Sequence, residues 1–454
     1  MAPRRPTSEP EPGGAAVDAR PPDDGPGTVV RRAPFSDNPR VGARGQRTQQ
    51  RILDAALRVF GEEGYYRCGI DRITTLAGCS RASFYQYFSG KEDVFRQLAG
   101  QVARQLSASL EALGPLTPDA EGWEALRVWV ARHADIYERY EPVFQAYQAA
   151  AESDEAVASG SARTAQRNVA SFRSRVATTT LPPRQLDPVI QLLFECVTRA
   201  QGTAGILRAA APAAYPKGRV EDGLTDVMHR TLFGLRADVN VHPPAARPPP
   251  TLRFGPTMRE LFRQDDATPA DLTPAGRRTL EAMLSAGRDV LLARGYHRTR
   301  VDDVVAAAGL SHGAFYRYFE SKDHLARILA VRAIRTVSTS FADIPAAAHD
   351  GPTGRVALRR WLRRYNAAHA SEAAMIRIWV DASLQDPGLR TDSAAALDWG
   401  RREMAGFLRP RDFGDIDTEA VVMTALLSAF GVQERSAPAV DAAAHIIERG
   451  LLGH

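Results

Sequence analysis

The octapeptide FYQYFSGK runs from Phe84 to Lys91, and FYRYFESK runs from Phe315 to Lys322. Each brings two tyrosine hydroxyls and one ammonium together within eight residues. Hydroxyls that donate a hydrogen bond and a lysine that adds a point charge suit phosphate oxygens. The residues just upstream suit base edges. Arg81 can grip guanine O6 and N7 with two parallel bonds, and Ala82 and Ser83 follow it. His312 offers a weaker donor, while Gly313 and Ala314 allow close approach and contact with a thymine methyl. This is the chemistry of recognition rather than of bond-making.

These groups need a frame. In IDRITTLAG, Ile70, Ile73 and Ala77 share one face, which predicts a short amphipathic helix. Gly78 supplies the left-handed turn that ends it, and Ser80 is an N-cap for the next short helix, RASFYQYF. VDDVVAAAG, Leu310, Ser311 and HGAFYRYF repeat the design. Two short helices around a glycine turn form a helix-turn-helix, whose second helix enters the major groove with its first residues nearest the bases. Phe84 and Phe88, like Phe315 and Phe319, lie at i, i+4 and face the core. Lys91 and Lys322 open the following helix, where free backbone N–H groups also favour phosphate. Ser321 caps that helix in the second unit; Gly90 is a weaker cap in the first.

The pattern A-G-x-S-x-x-x-F-Y-x-Y-F-x-x-K resembles the TetR family of bacterial transcriptional regulators. The resemblance is strong over about 46–100 and 277–331 and only architectural elsewhere. It implies an all-α chain whose heads bind duplex DNA and whose helical bodies pair and bind a small effector, with no cofactor. It places base contacts on Arg81, Ala82 and Ser83, with Tyr85 touching base or phosphate. Phosphate contacts fall on Thr48, Tyr87 and Lys91. In the second unit those roles pass to His312, Gly313, Ala314, Tyr316, Thr279, Tyr318 and Lys322. Family members carry one head per chain, whereas this chain carries two.

The repeat extends well beyond the octapeptides. A shift of 231 aligns Arg47–Ala99 with Arg278–Ala330 without a gap, and about 20 of roughly 53 positions are identical. Trp129 matches Trp361, and Asp154 matches Asp386, with a further shift of one. The expected division is an arm at 1–44, a head at 45–100 and a body at 101–236. A proline-rich linker at 237–270 then leads to a second head at 271–331 and a second body at 332–454. Prolines 243, 244, 248, 249 and 250 predict a semi-rigid spacer there. The linker keeps the two bodies at high effective concentration, so an intramolecular pseudo-dimer is expected, with further homodimerisation left open. Its operator would hold two unlike half-sites.

The remaining signals are broader. The 454 residues exceed one ordinary core, and a net charge of +5 is compatible with a polyanionic partner. Three cysteines, without zinc-like spacing, indicate a reducing compartment, and no apolar run of about 18 residues is present. A cytoplasmic protein is expected. The arm, rich in Pro, Gly and charge, reads as disordered. Its Arg31, Arg32, Arg40 and especially Arg44 are candidates for minor-groove or phosphate contact. In the bodies, Trp129, His133, Tyr137, Phe144 and Tyr147, with Trp361, Tyr365 and Trp379, are candidates for an apolar effector pocket, or else an ordinary bundle core. No zincin or phosphate-loop motif is found, so an all-α enzyme is a remote reading. A further alternative has only the first head reading DNA, within a conventional homodimer, and the second acting as a scaffold.

Overall fold

The computed structural model describes residues 43–65, 67–153, 155–241, 248–263, 272–296, 298–383, 387–433 and 436–454. The arginines expected in the arm at 31, 32 and 40 lie outside them, as does Asp386. The described chain is helical apart from a single parallel bridge between Leu116 and Val176.

The first head comprises α1 (Ala43–Glu63), α2 (Ile70–Ala77), α3 (Arg81–Tyr87) and the start of α4 (Lys91–Glu111). Ile52, Val59, Ile73, Phe84, Phe88 and Phe95 form its core, as the 3–4 spacing of apolar residues requires. Its body follows as α5 (Ala120–Ser153), α6 (Glu155–Arg173), α7 (Pro183–Ala210) and α8 (Arg219–Phe233). Helix α5 breaks from helical geometry at Tyr140 (φ −114°, ψ 21°), two residues before Pro142. Proline removes a donor and crowds the carbonyl one turn back, so a kink follows. Beyond the kink α5 joins the head: Tyr140 and Val143 are buried in the head core, and a Cβ on Gly61 would stand 3.2 Å from Pro142 Cγ.

The second unit has α10 (Pro274–Arg294), α11 (Val301–Ala308), α12 (His312–Tyr318) and α13 (Lys322–Ala342). A 3-10 segment, Ala346–Thr353, leads to α14 (Arg355–Ser383), α15 (Pro387–Leu408), α16 (Ile416–Gly431) and α17 (Ala437–His445), which runs into a π-helical turn, Ile446–Leu451.

The two bodies share one core. Leu192, Val197 and Val227 from the first unit and Val422, Leu426, Phe430 and Ile447 from the second lie in a single apolar cluster, each at most 1% exposed. The thiol of Cys196 on α7 points at the Val422 carbonyl on α16, 3.6 Å away. Each such side chain contributes about 1.5–3 kcal/mol when fully withdrawn from water.

The stretch expected to be a spacer is tied down. Asn240 is fully buried, and its amide bonds to the Gly234 carbonyl at 3.0 Å. Leu252 N–H donates to Asp398 (2.9 Å) and Gly255 N–H to Asp392 (2.7 Å). A helix, α9 (Pro256–Arg263), then buries Met258 and Leu261 in the core of the second head. Its proline sits at the first helical position, where a missing N–H costs nothing. The spacer expectation fails because the prolines at 248–250 end just before an amphipathic i, i+3 pattern. The head also begins earlier than expected. Ala43 already starts α1, so Arg44 is a helix residue rather than part of a flexible arm.

Candidate nucleic-acid interface

The two helix-turn-helix frames repeat the same turn and cap. Gly78 (φ 62°) and Gly309 (φ 64°) take the left-handed conformation that ends the first helix, where any other residue would be strained. Ser80 Oγ accepts from Ser83 N–H at 3.0 Å, and Ser311 Oγ from Ala314 N–H at 3.2 Å. Phe84, Phe88, Phe315 and Phe319 are at most 1% exposed and anchor both reading helices. The outward faces, Arg81 and Ala82 in one and His312 and Gly313 in the other, are exposed. Ser83 and Ala314 are half-buried.

The first reading residue is tethered in both heads. Arg81 Nη1 lies 3.2 Å from Asp71 on α2, and His312 Nε2 lies 2.5 Å from Asp302 on α11. Bonding to Tyr85, then the charge of Asp71, hold the Arg81 guanidinium above its usual pKa. Both pairs are solvent-exposed, so they orient the side chain at little cost to its release. The acidic partners were visible only as the identity Asp71/Asp302 in the repeat. Tyr85 is half-buried against the head core, whereas its counterpart Tyr316 is 59% exposed.

Both lysines are bound within their own head. Lys91 Nζ donates to the Tyr65 carbonyl at 2.8 Å and stands 4.6 Å from the Tyr65 ring centre. Lys322 does the same to Tyr296, at 3.0 and 4.2 Å. Each ammonium is turned inward, where it holds the start of α4 or α13 against the end of α1 or α10. Burial above all lowers both pKa values; Arg298 of the second head adds to this at Lys91, and Arg67 of the first at Lys322. The backbone N–H groups at these helix starts are a further setting for a phosphate. Ser321 caps α13 by accepting from His324 N–H at 3.1 Å; Gly90 offers no side-chain cap, and Asp93 accepts from Ser89 N–H at 2.9 Å instead.

Thr48 and Thr279 are half-buried, and their hydroxyls donate to carbonyls one turn back, those of Arg44 and Ala275. Arg44 is exposed on the first turn of α1. Tyr87 and Tyr318 are half-buried at the ends of the reading helices. The hydroxyl of Tyr318 borders the first turn of α10, 3.5 Å from where a Cβ on Gly276 would stand. That places Tyr318 beside a helix N-terminus, a favourable setting for a phosphate.

Two segments, residues 52–98 and 283–328, match the family model for bacterial regulatory proteins of the tetR family. They coincide with the two frames. Both heads are of the TetR type. The chain is also similar to individual proteins over short stretches. The chain is 35% identical over 92 residues to the HTH-type transcriptional regulator SrpR of Pseudomonas putida, covering 20% of this chain and 40% of that protein. An uncharacterized HTH-type transcriptional regulator from the same species, TtgW, is also 35% identical over 92 residues, with 20% and 64% covered. The HTH-type transcriptional repressor NicS of Pseudomonas putida is 34% identical over 104 residues, with 22% and 48% covered. The chain thus spans less than two thirds of the length of each of these relatives. No helix among the described residues is long and apolar enough to cross a membrane.

The candidate effector residues do not form one pocket. Trp129, His133, Phe144 and Tyr137 run in series along the kinked α5, with ring centres 5.9, 6.4 and 4.9 Å apart. Tyr147 packs on the first head. Trp361 and Tyr365 stack within the shared body core, 5.4 Å apart, while Trp379 belongs to the core of the second head. The matched tryptophans differ in one respect. Trp361 Nε1–H donates to the Ser340 carbonyl at 2.7 Å, whereas Trp129 Nε1, equally buried, has no partner among the described residues.

Proposed function

We propose that this chain is a sequence-specific transcriptional regulator that reads a two-part operator with two unlike heads in one molecule. The observation that carries it is the pairing of identical frames with different reading faces: Arg81, Ala82 and Ser83 against His312, Gly313 and Ala314. A frame kept while its reading face changes fits two half-sites of different sequence. Arg81 favours a guanine, by on the order of ten- to hundredfold, and the His312 side reads less strictly. Selection of sites from random duplex DNA at fixed salt tests this. Two unlike half-sites, with the guanine preference lost in Arg81→Ala, are the expected result. A perfect palindrome would overturn it.

The match to a repressor supports repression, and release by an effector is the second part of the reading. The first body suits that role better than the second. Its buried Trp129 N–H and His133 Nδ1 lack partners, as does Gln201 Nε2 on the facing helix α7. Thr198 donates to Phe194 and lies 3.2 Å from His133 Nε2, which leaves His133 Nδ1 as an acceptor. Burial drives the His133 pKa down to about 4, so the ring is neutral at neutral pH. These groups fit an uncharged aromatic molecule with a hydroxyl that both accepts and donates. A screen of neutral phenols for loss of operator binding is expected to yield responders whose effect survives Trp361→Phe and fails in Trp129→Phe. Equal responses from both variants would refute the assignment to the first body.

A further inference from the structure

The faces that join the two bodies carry opposite charges. On α8 stand Arg219 and Arg230; on α16 stand Asp415, its N-cap, and Glu419. Arg219 Nε and Nη2 reach the Asp415 carboxylate at 2.7 and 3.0 Å. Arg230 Nη2 reaches Glu419 Oε2 at 2.6 Å, with both side chains fully buried. Arg411 Nη1 closes on the same oxygen at 2.5 Å. Arg230 also donates to the carbonyls of Gly450 and Asn240, at 2.7 and 2.6 Å.

The two units offer equivalent helices for comparison. Helix α8 has fifteen residues, as do α17 and its π-helical turn taken together, and α7 and α16 both start directly after an N-cap. Counted from those starts, the fifth residue of one helix meets the third residue of the other on both sides of the junction. A Cβ on Gly223 would come within 2.5 Å of Thr418 Cγ2, and Gln185 Nε2 lies 3.4 Å from Asp441 Oδ2. A pseudo-two-fold axis therefore relates the halves. The charges do not obey it. Where α16 has Asp415 and Glu419, the first unit has Pro182 and Leu186; where α8 has Arg219 and Arg230, the second has Ala437 and Glu448.

From this mismatch we infer that the faces are built to reject copies of themselves, so that each body accepts only the other half of this chain. Two first halves would bury Arg219 and Arg230 against Pro182 and Leu186, leaving cations without partners. Two second halves would set Glu448, held by Arg355 and Arg359, against Glu419, which would keep Arg411 and lose the cation that Arg230 supplies. Apolar residues commonly fill such sites with equal or greater stability, so the triad of Arg230, Glu419 and Arg411 acts as a device for choosing partners.

The test starts from the intact chain, carrying a specific protease site inserted between Ala245 and Ala246. After cleavage, unlabelled and ¹⁵N-labelled samples are mixed and read by native mass spectrometry. Only one-to-one pairs of unlike halves are expected; a homodimer of either half would overturn the inference. The cleaved variant Arg219→Met/Arg230→Met/Arg411→Leu/Asp415→Asn/Glu419→Leu removes the ion pairs that cross this junction and is expected to yield homodimers. If that variant still forms only unlike pairs, the charges do not choose the partner and the idea fails. No DNA enters either measurement, so neither result depends on what the heads read.

Discussion

At the scale of single residues, the repeat serves as an internal control. In the first head Glu63 accepts from Arg72 at 2.8 Å; in the second, the matched Arg294 donates to Asp303 at 2.6 Å. The partners have exchanged charge and the bond persists, so the contact matters and its polarity does not. Lys91 and Lys322 are preserved in type because both hold a tyrosine carbonyl. Lys322→Met is expected to cost about 1–2 kcal/mol of stability, the penalty for a stranded carbonyl. The salt dependence of operator binding should stay unchanged, whereas loss of a true phosphate contact would flatten the slope by about 0.9. Gly313 has no close neighbour that forbids a Cβ and no positive φ. Gly313→Ala is therefore expected to stabilise the second head by about 0.5–1 kcal/mol while weakening operator binding, as melting and binding assays would show. Burial lowers His133 and His369 from 6.5 to about 4, with Arg199 assisting at His369. The unfolded chain takes up these protons first, so stability is full above pH 6.5 and falls as pH drops toward 4. The loss is at most about 3 kcal/mol per histidine. Urea titrations of the native chain and His133→Phe at several pH values would read it; the variant should show a shallower decline.

At the scale of elements, the heads were legible and the connection between the units was not. Glycine turns, serine caps and paired phenylalanines act within a few residues, so the sequence alone locates α2, α3, α11 and α12. Helix α9 escapes such reading because its stability comes from Met258 and Leu261 docking on α13, distant in sequence, while nearby prolines suggest an extended chain. Met258→Ala is expected to destabilise the second head by about 2–4 kcal/mol, visible as faster hydrogen exchange in α13. A spacer would show no such effect. The inward turn of the lysines was hidden for a similar reason: the carbonyl each one meets lies 26 residues earlier, at the end of another helix. The effector candidates on α14 were separated by the length of that helix, which carries Trp361 in the shared core and Trp379 in a head.

At the scale of the molecule, one apolar core spans both bodies, and the heads are its two outlying lobes. Because the pairing is within one chain, unfolding of the bodies is expected to be independent of protein concentration. Tryptophan fluorescence in urea at several concentrations would show a single midpoint for that core; a midpoint that rises with concentration would mean a second chain is needed. The cluster of Leu207, Tyr215, Val421 and Leu252 extends the same logic to the connection, since it gathers side chains from both units and from the stretch between them.

The partners of Arg230 also set a timetable for synthesis. The ribosome makes this arginine long before Glu419 and Gly450, and domains generally fold as they emerge. The first body cannot close around a bare cation, so it must wait, partly formed, until the 189 further residues that end at Glu419 have appeared. Its own head, which depends on no such partner, can fold at once. A nascent chain arrested before Glu419 should therefore present a protected first head on an open, protease-sensitive body, and release of the remaining residues should close both bodies together.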